Sequence, residues 1–132
     1  MRLHCFLLVI LFCSCGGSYV EKKLSGSDSL VIRFNQPGTG TEAKTVSTTE
    51  SKAIRKLARW LSGGEKKTRD CPVDGGLLFY REGELLLAAV FSMSGDSCRQ
   101  FFYELDHAHT ATRMSPEAAD FLKSLAEGRS AY

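Results

Sequence analysis

Three polar side chains near the end of the chain have the residue types of a small metal site. Asp106, His107 and His109 stand within one short stretch, and imidazole and carboxylate groups are ligands that suit Zn²⁺. We expect a turn here, with both histidines on one face of a following strand. No further Cys or His supports them in the sequence, and turns favour such residues anyway. The alternatives are a weak metal or small-ligand site and a solvated turn. We favour the turn and predict no metal site.

Catalytic arrangements are not evident. The sequence has no Gly-x-Ser-x-Gly motif and no recognisable Ser-His-Asp order. Glu82 and Glu84 flank an expected hairpin tip, where solvated carboxylates are ionised and poor general acids. The Gly75-Gly76 pair lacks the spacing and the Lys-Ser/Thr of a phosphate-binding loop, and we interpret it as a turn. We therefore predict that the chain is not an enzyme and needs no cofactor.

The first fourteen residues differ from the rest. Arg2 precedes an apolar run of about nine residues from Cys5 to Cys13, which is too short for the roughly 20 residues of a membrane-spanning helix. This pattern is typical of a secretory signal peptide, so residues 1–14 are excluded from the fold.

The end of this leader resembles the lipobox of bacterial lipoproteins. Phe12-Cys13-Ser14-Cys15 places a bulky apolar residue three positions before a cysteine and a small residue directly before it. The resemblance implies cleavage before Cys15, a diacylglycerol on its sulfur, and anchoring in a membrane. The alternative is ordinary cleavage after a small residue such as Ser18, which would release a soluble periplasmic protein.

The segment after the lipidation position is polar. Residues 15–29 are rich in Gly, Ser and charged types, so we predict a lipidated tether over 15–29 and a single domain over 30–132. Gly16, rather than Asp, follows Cys15. By analogy with lipoprotein sorting, this implies the outer membrane, with the domain facing the periplasm.

The remaining cysteines form an even pair. Two of the five cysteines leave with the leader and Cys15 takes the lipid, so Cys71 and Cys98 remain. In an exported chain such a pair is most simply a disulfide, and the loop that it would close corresponds to roughly 3 to 4 kcal/mol in the chain-entropy model. A reactive thiol pair is the alternative, but the spacing is not Cys-x-x-Cys.

Charge gives little functional information. The formal net charge of the whole chain is +2, and the loss of Arg2 leaves the exported part closer to neutral, so we predict no nucleic-acid partner. One expected helix carries Lys52, Arg55, Lys56 and Arg59 on a single side. This side could face anionic lipid or an anionic ligand, but an ordinary solvated helix face is the simpler interpretation.

Hydrophobic patterning predicts the elements. Two apolar runs around Glu82-Gly83 predict a hairpin, and further strands are expected over 30–35, 43–47, 99–105 and 110–114. Apolar residues at helical spacing predict a helix after a Ser47-to-Glu50 capping box and another that begins at Ser115-Pro116. The predicted fold is α+β, an antiparallel sheet of four to six strands with two helices packed on one face.

The run from Leu85 to Phe91 is apolar at every position. Such a strand is expected to be covered or at least shielded on both faces. The two helices can cover one face, and the other is left to the neighbouring side chains Leu78, Tyr80 and Phe102 or to a partner protein.

The chain as a whole resembles small uncharacterised lipoproteins of Gram-negative bacteria, on the basis of the lipobox-like site and the cysteines around the hairpin. The resemblance implies no particular activity. We expect a membrane-anchored, non-catalytic binding or interaction module of the cell envelope that has an envelope protein as partner. A structural accessory subunit of an envelope complex and a weak metal or small-ligand carrier are the alternatives.

Overall fold

Six antiparallel strands form the centre of the structure, a computed structural model that describes residues 19–37, 39–67 and 70–129. Their order across the sheet is β2-β1-β3-β4-β5-β6. The strands are β1 Ser29–Asn35, β2 Glu42–Thr48, β3 Gly75–Arg81, β4 Glu84–Ser92, β5 Gln100–Leu105 and β6 Ala108–Arg113.

Three helices complete the fold, α1 Tyr19–Leu24, α2 Ser51–Leu61 and α3 Pro116–Ala126. Their buried side chains share one apolar core with inward-facing residues of the strands. The predicted α+β fold is confirmed, with α1 as a short third helix beside the two that were expected. None of the helices within the described residues has the length and apolar character needed to cross a bilayer.

Helix α1 corrects the predicted boundary of the domain. Val20 and Leu24 are buried in the core, at 4% and 0% exposure. These two residues lie four apart, so both project from the same side of the helix, and α1 packs against α2. The domain therefore begins before residue 30, and the predicted tether over 15–29 is wrong for residues 19–29. Residues 15–18 lie outside the described residues.

The hairpin between β3 and β4 matches its prediction. Glu82 and Gly83 both have positive φ, 50° and 80°, as a two-residue turn of the type I′ class requires. Asp28 accepts a hydrogen bond from the Glu82 backbone N–H at 2.8 Å. This contact holds the turn against the segment that joins α1 to β1.

The two longer helices begin differently. At α3, the Ser115 hydroxyl accepts a hydrogen bond from the Ala118 N–H at 3.1 Å, and Pro116 occupies the first turn, as predicted. The capping box proposed for α2 is wrong: Ser47 belongs to β2, and Glu50 is the N-cap residue without a side-chain cap. The pairing of β2 with β1 extends through Ser47 and Thr48, so Ser47 cannot also cap the helix.

The glycine pair before the hairpin is part of a strand. Gly75 and Gly76 are the first residues of β3, so their interpretation as a turn is wrong. A Cβ at Gly75 would stand 2.1 Å from the Arg33 carbonyl oxygen and 2.5 Å from the Phe91 ring. This position needs glycine because β1 and the aromatic ring approach it closely, rather than because the chain turns.

Candidate functional site: the open face of the sheet

The sheet has one face covered by the helices and one that no described helix covers. Side chains alternate between the two along each strand. Leu77, Ala89 and Phe101 point to the helices and are at most 2% exposed. The residues that alternate with them along each strand point away from the helices. We call this second surface the open face; its central residues are Val31, Leu78, Tyr80, Ala88, Val90 and Phe102.

The apolar run in β4 contributes to both faces. Leu87, Ala89 and Phe91 are buried, whereas Leu85 and Val90 are 52% and 38% exposed. Within the described residues, the helices cover only one face of this strand, and coverage of the other face by a partner protein stays a prediction. A shift in pairing register between Phe79 and Tyr80 inserts an extra residue in β4, a bulge that redirects side chains near the hairpin end.

Cross-strand pairing makes the open face continuous. Val90 lies between Gly76 on β3 and Phe102 on β5, and Leu78 pairs with Ala88. His109 of β6 stacks on Phe102, with ring centroids 5.7 Å apart and an angle of 9° between the planes. Val90 and Phe102 therefore lie next to each other on a largely apolar surface.

A shallow cavity lies at one end of the open face. Its volume is about 190 Å³, and its lining includes Val73, Val90, Phe102 and Cys71. Val73 is 46% exposed. Of the four large apolar residues that are most exposed in the described chain, Val73, Leu85 and Val90 lie on or beside the open face, and only Tyr19 lies elsewhere.

The predicted disulfide borders this cavity. Cys71 and Cys98 are bonded, with their Cα atoms 5.7 Å apart, within the usual range for disulfides. The bond ties the segment before β3 to the short helical turn Asp96–Cys98 that precedes β5. It holds Val73 in place beside the strands, so the disulfide shapes the rim of the open face.

Asp74 strengthens the same rim. Its carboxylate accepts hydrogen bonds from the Met93 N–H at 2.5 Å and from the Ser94 hydroxyl at 3.4 Å. The Ser92 hydroxyl donates to the Pro72 carbonyl at 2.5 Å. These side chains fix the segment before β3 to the end of β4 independently of the disulfide. No motif in the sequence singles out Asp74 for this role.

The candidate metal residues do not converge. Asp106 and His107 form the turn before β6, with φ of 49° and 65°, and Asp106 lies 4.0 Å from the Lys23 Nζ. His109 stands on β6 against Phe102. The two histidines therefore do not share a strand face as expected. Across residues 19–37, 39–67 and 70–129, no three His, Cys, Asp or Glu side chains are grouped to hold a metal ion.

Two tyrosines have a perturbed pKa. The hydrogen bond of Tyr19 to Asp106, together with the charge of that carboxylate, raises the pKa of Tyr19. Burial, and to a lesser degree the charge of Glu65, raises the pKa of Tyr103. Neither phenol lies in the cavity of the open face, so these pKa shifts report local contacts of α1 and of the core.

The remaining candidate residues are not grouped into a site. Glu82 and Glu84 are exposed at the hairpin tip, and Cys15 lies outside the described residues.

In comparisons with known proteins, no family model matches the chain, and neither a curated protein nor a solved structure matches it. The geometry of the open face is therefore the main structural guide to function.

Proposed function

We propose that this chain is a lipid-anchored protein of the cell envelope whose open face binds another envelope protein. The leader of residues 1–14 and the lipobox-like Cys15 support export and anchoring, with the outer membrane and the periplasm as the location. The disulfide supports the same location, since such bonds persist in oxidising compartments.

The exposed apolar centre of the open face is the observation that carries the binding role. Val90 is 38% exposed on a central strand, and Leu78 and Phe102 on the flanking strands are only half-buried. Contiguous apolar surface of this kind marks interaction sites. A shallow, broad surface fits a protein partner better than a small molecule, which prefers a deep enclosed pocket.

Site-specific photocrosslinking in intact cells tests the binding role. A photoreactive amino acid replaces Val90 in the full chain, and a matched protein carries it at Gln36, which is exposed in the loop between β1 and β2. We expect one crosslinked partner from position 90 and none from position 36. A purified partner should then bind the wild type and Gln36→Glu equally and lose affinity for Val90→Glu. Equal binding by all three proteins would disprove a site on the open face.

The anchor is tested separately. Cys15→Ala should release the protein from the membrane fraction and abolish labelling by radioactive palmitate. Continued labelling of this variant would show that Cys15 is not the lipidated residue, whatever the result of the crosslinking.

A further inference from the structure

Helices α1 and α2 carry a concentrated positive charge. Together they hold six lysines and arginines and one carboxylate, Glu21, in a chain whose formal net charge is only +2. The cations are Lys22, Lys23, Lys52, Arg55, Lys56 and Arg59. We call this set the basic surface. On helix α3, by contrast, the exposed side carries both signs of charge, Glu117 and Asp120 with Lys123.

Little of this charge is neutralised within the described chain. Arg59 lies 4.0 Å from Glu21, and Lys23 lies 4.0 Å from Asp106. Both pairs are long and have one well-exposed member, so their energetic value is small. Lys52 and Arg55 are exposed and take part in no ion pair of the described residues. The basic surface is therefore available to an external anionic partner.

Aromatic side chains lie next to these cations. The Lys56 Nζ stands 4.9 Å from the centroid of the Trp60 ring and 4.6 Å from that of Phe121, and the two rings contact each other at 5.3 Å. Tyr19 at the start of α1 is 62% exposed. Basic residues with amphipathic aromatic rings are typical of surfaces that lie in the headgroup region of a bilayer.

The position of α1 in the chain identifies the partner. Tyr19 stands four residues after Cys15, and four residues can span at most about 14 Å. If Cys15 carries the lipid, as the proposed function holds, α1 and the adjoining α2 are kept close to the bilayer surface. An anionic membrane is then the polyanion that the basic surface meets at the highest local concentration.

We propose that the basic surface lies on anionic lipid headgroups of the membrane that holds the anchor. The helices cover one face of the sheet, so a domain seated in this way turns the open face away from the bilayer. The inference rests on the lipid anchor of the proposed function and adds an orientation to it. The two binding surfaces then serve different partners, lipid on one side and protein on the other.

Trp60 is the only tryptophan of the chain and provides an intrinsic probe. The full chain, as isolated from the cell, is reconstituted into vesicles of phosphatidylcholine alone or mixed equally with phosphatidylglycerol, with bromine atoms high on the acyl chains to quench tryptophan. We expect stronger quenching of Trp60 in the anionic vesicles, lost at about 1 M salt, where the Debye length falls to about 3 Å. Equal quenching in both kinds of vesicle would overturn the inference.

Charge reversal locates the contact. At about fivefold in surface affinity for each basic residue, Lys52→Glu with Arg55→Glu should weaken seating of the domain at least roughly 25-fold and remove the anionic preference. Lys67→Glu with Lys123→Glu makes the same change in net charge at exposed positions outside the basic surface and should retain it. Equal loss in both double variants would show a net-charge effect only and overturn the inference.

Flotation of the same vesicles separates the two failures. At high salt the chain should still float with the vesicles, which reports the anchor alone. If the chain floats but the quenching of Trp60 is the same in neutral and anionic vesicles, the anchor is supported and the proposed orientation is wrong. If it does not float at high salt, the anchor has failed, and the orientation that depends on it fails as well. If the basic surface binds an acidic protein instead of lipid, the first of these outcomes is expected: the chain floats, and Trp60 quenching does not depend on lipid charge.

Discussion

The two faces of the sheet are built from the same kinds of residue but end in different environments. Leu77 and Leu78 are neighbours in β3; Leu77 is 0% exposed beneath the helices, whereas Leu78 is half-buried on the open face. Phe101 and Phe102 repeat this division on β5. An apolar strand therefore supplies a core on one side and an exposed apolar surface on the other. Substitutions with different expected costs in stability test this division.

The largest effect is expected from a matched pair of aromatic truncations. Phe79→Ala removes a side chain that is fully buried under the helices, and such truncations cost about 3 to 5 kcal/mol of unfolding free energy. Phe102→Ala on the open face should cost less, because its ring is only partly buried and leaves no closed cavity. Urea unfolding measures both. Equal losses would mean that the open face is packed as tightly as the core.

Removal of the disulfide comes next. Cys71 and Cys98 are separated by 27 positions in the sequence, for which the chain-entropy model gives about 3.5 kcal/mol. Cys71→Ser should lower the unfolding free energy by an amount of this order under oxidising conditions. Under reducing conditions the variant and the wild type should unfold alike. A wild-type melting temperature that is insensitive to reductant would contradict this prediction.

The two adjacent glycines of β3 compare the faces at one position along the strand. A Cβ at Gly75 meets the Arg33 carbonyl oxygen and the Phe91 ring, whereas a Cβ at Gly76 meets the Ala89 carbonyl oxygen at 3.3 Å. Gly75→Ala should cost about 1 to 3 kcal/mol, as overpacking usually does, and Gly76→Ala clearly less. A larger loss for Gly76→Ala in thermal unfolding would reverse the assignment of the faces.

The smallest effect concerns the ionisation of Tyr103 on the covered side. Because the pKa of Tyr103 is raised in the fold from 10.0, its contribution to stability is present below pH 10 and is lost as the pH rises through the folded pKa. The unfolding free energies of the wild type and Tyr103→Phe should therefore have the same pH dependence below pH 10. Above pH 10 the unfolding free energy of the wild type should decline more steeply. Parallel curves above pH 10 would contradict the shift.

Much of the architecture could be predicted because it follows from local patterns. The Glu82-Gly83 turn, the strands beside it and the start of α3 at Ser115 have short-range signals. The Cys71–Cys98 bond is predicted from a count of cysteines that sets aside the two in the expected leader and Cys15 at the expected lipidation position. The capping box failed because the Ser47 signal competes with strand pairing to β1, which depends on residues distant in sequence.

The candidate site depended on longer-range information. The apolar run of β4 does not reveal which side the helices cover, and the exposure of Val90 emerges only once α1, α2 and α3 share one face. Helix α1 was missed for the same reason. Val20 and Leu24 stand among polar residues, and only their contacts with the rest of the core show that this segment is folded rather than a tether. The need for glycine at position 75 depends on the pairing of β3 with β4, which brings Phe91 opposite it.

Gly75 also has a consequence for how the sheet selects its pairing. The place opposite Phe91 admits no Cβ. A slip of two residues between β3 and β4 would put Val73 or Leu77 there. A slip of one residue would turn Leu77 and Phe79 towards solvent, because strand side chains alternate. The missing side chain thus discriminates against the two-residue slips and side-chain alternation against the one-residue slips, so the native alignment does not depend on the turn at Glu82-Gly83 alone.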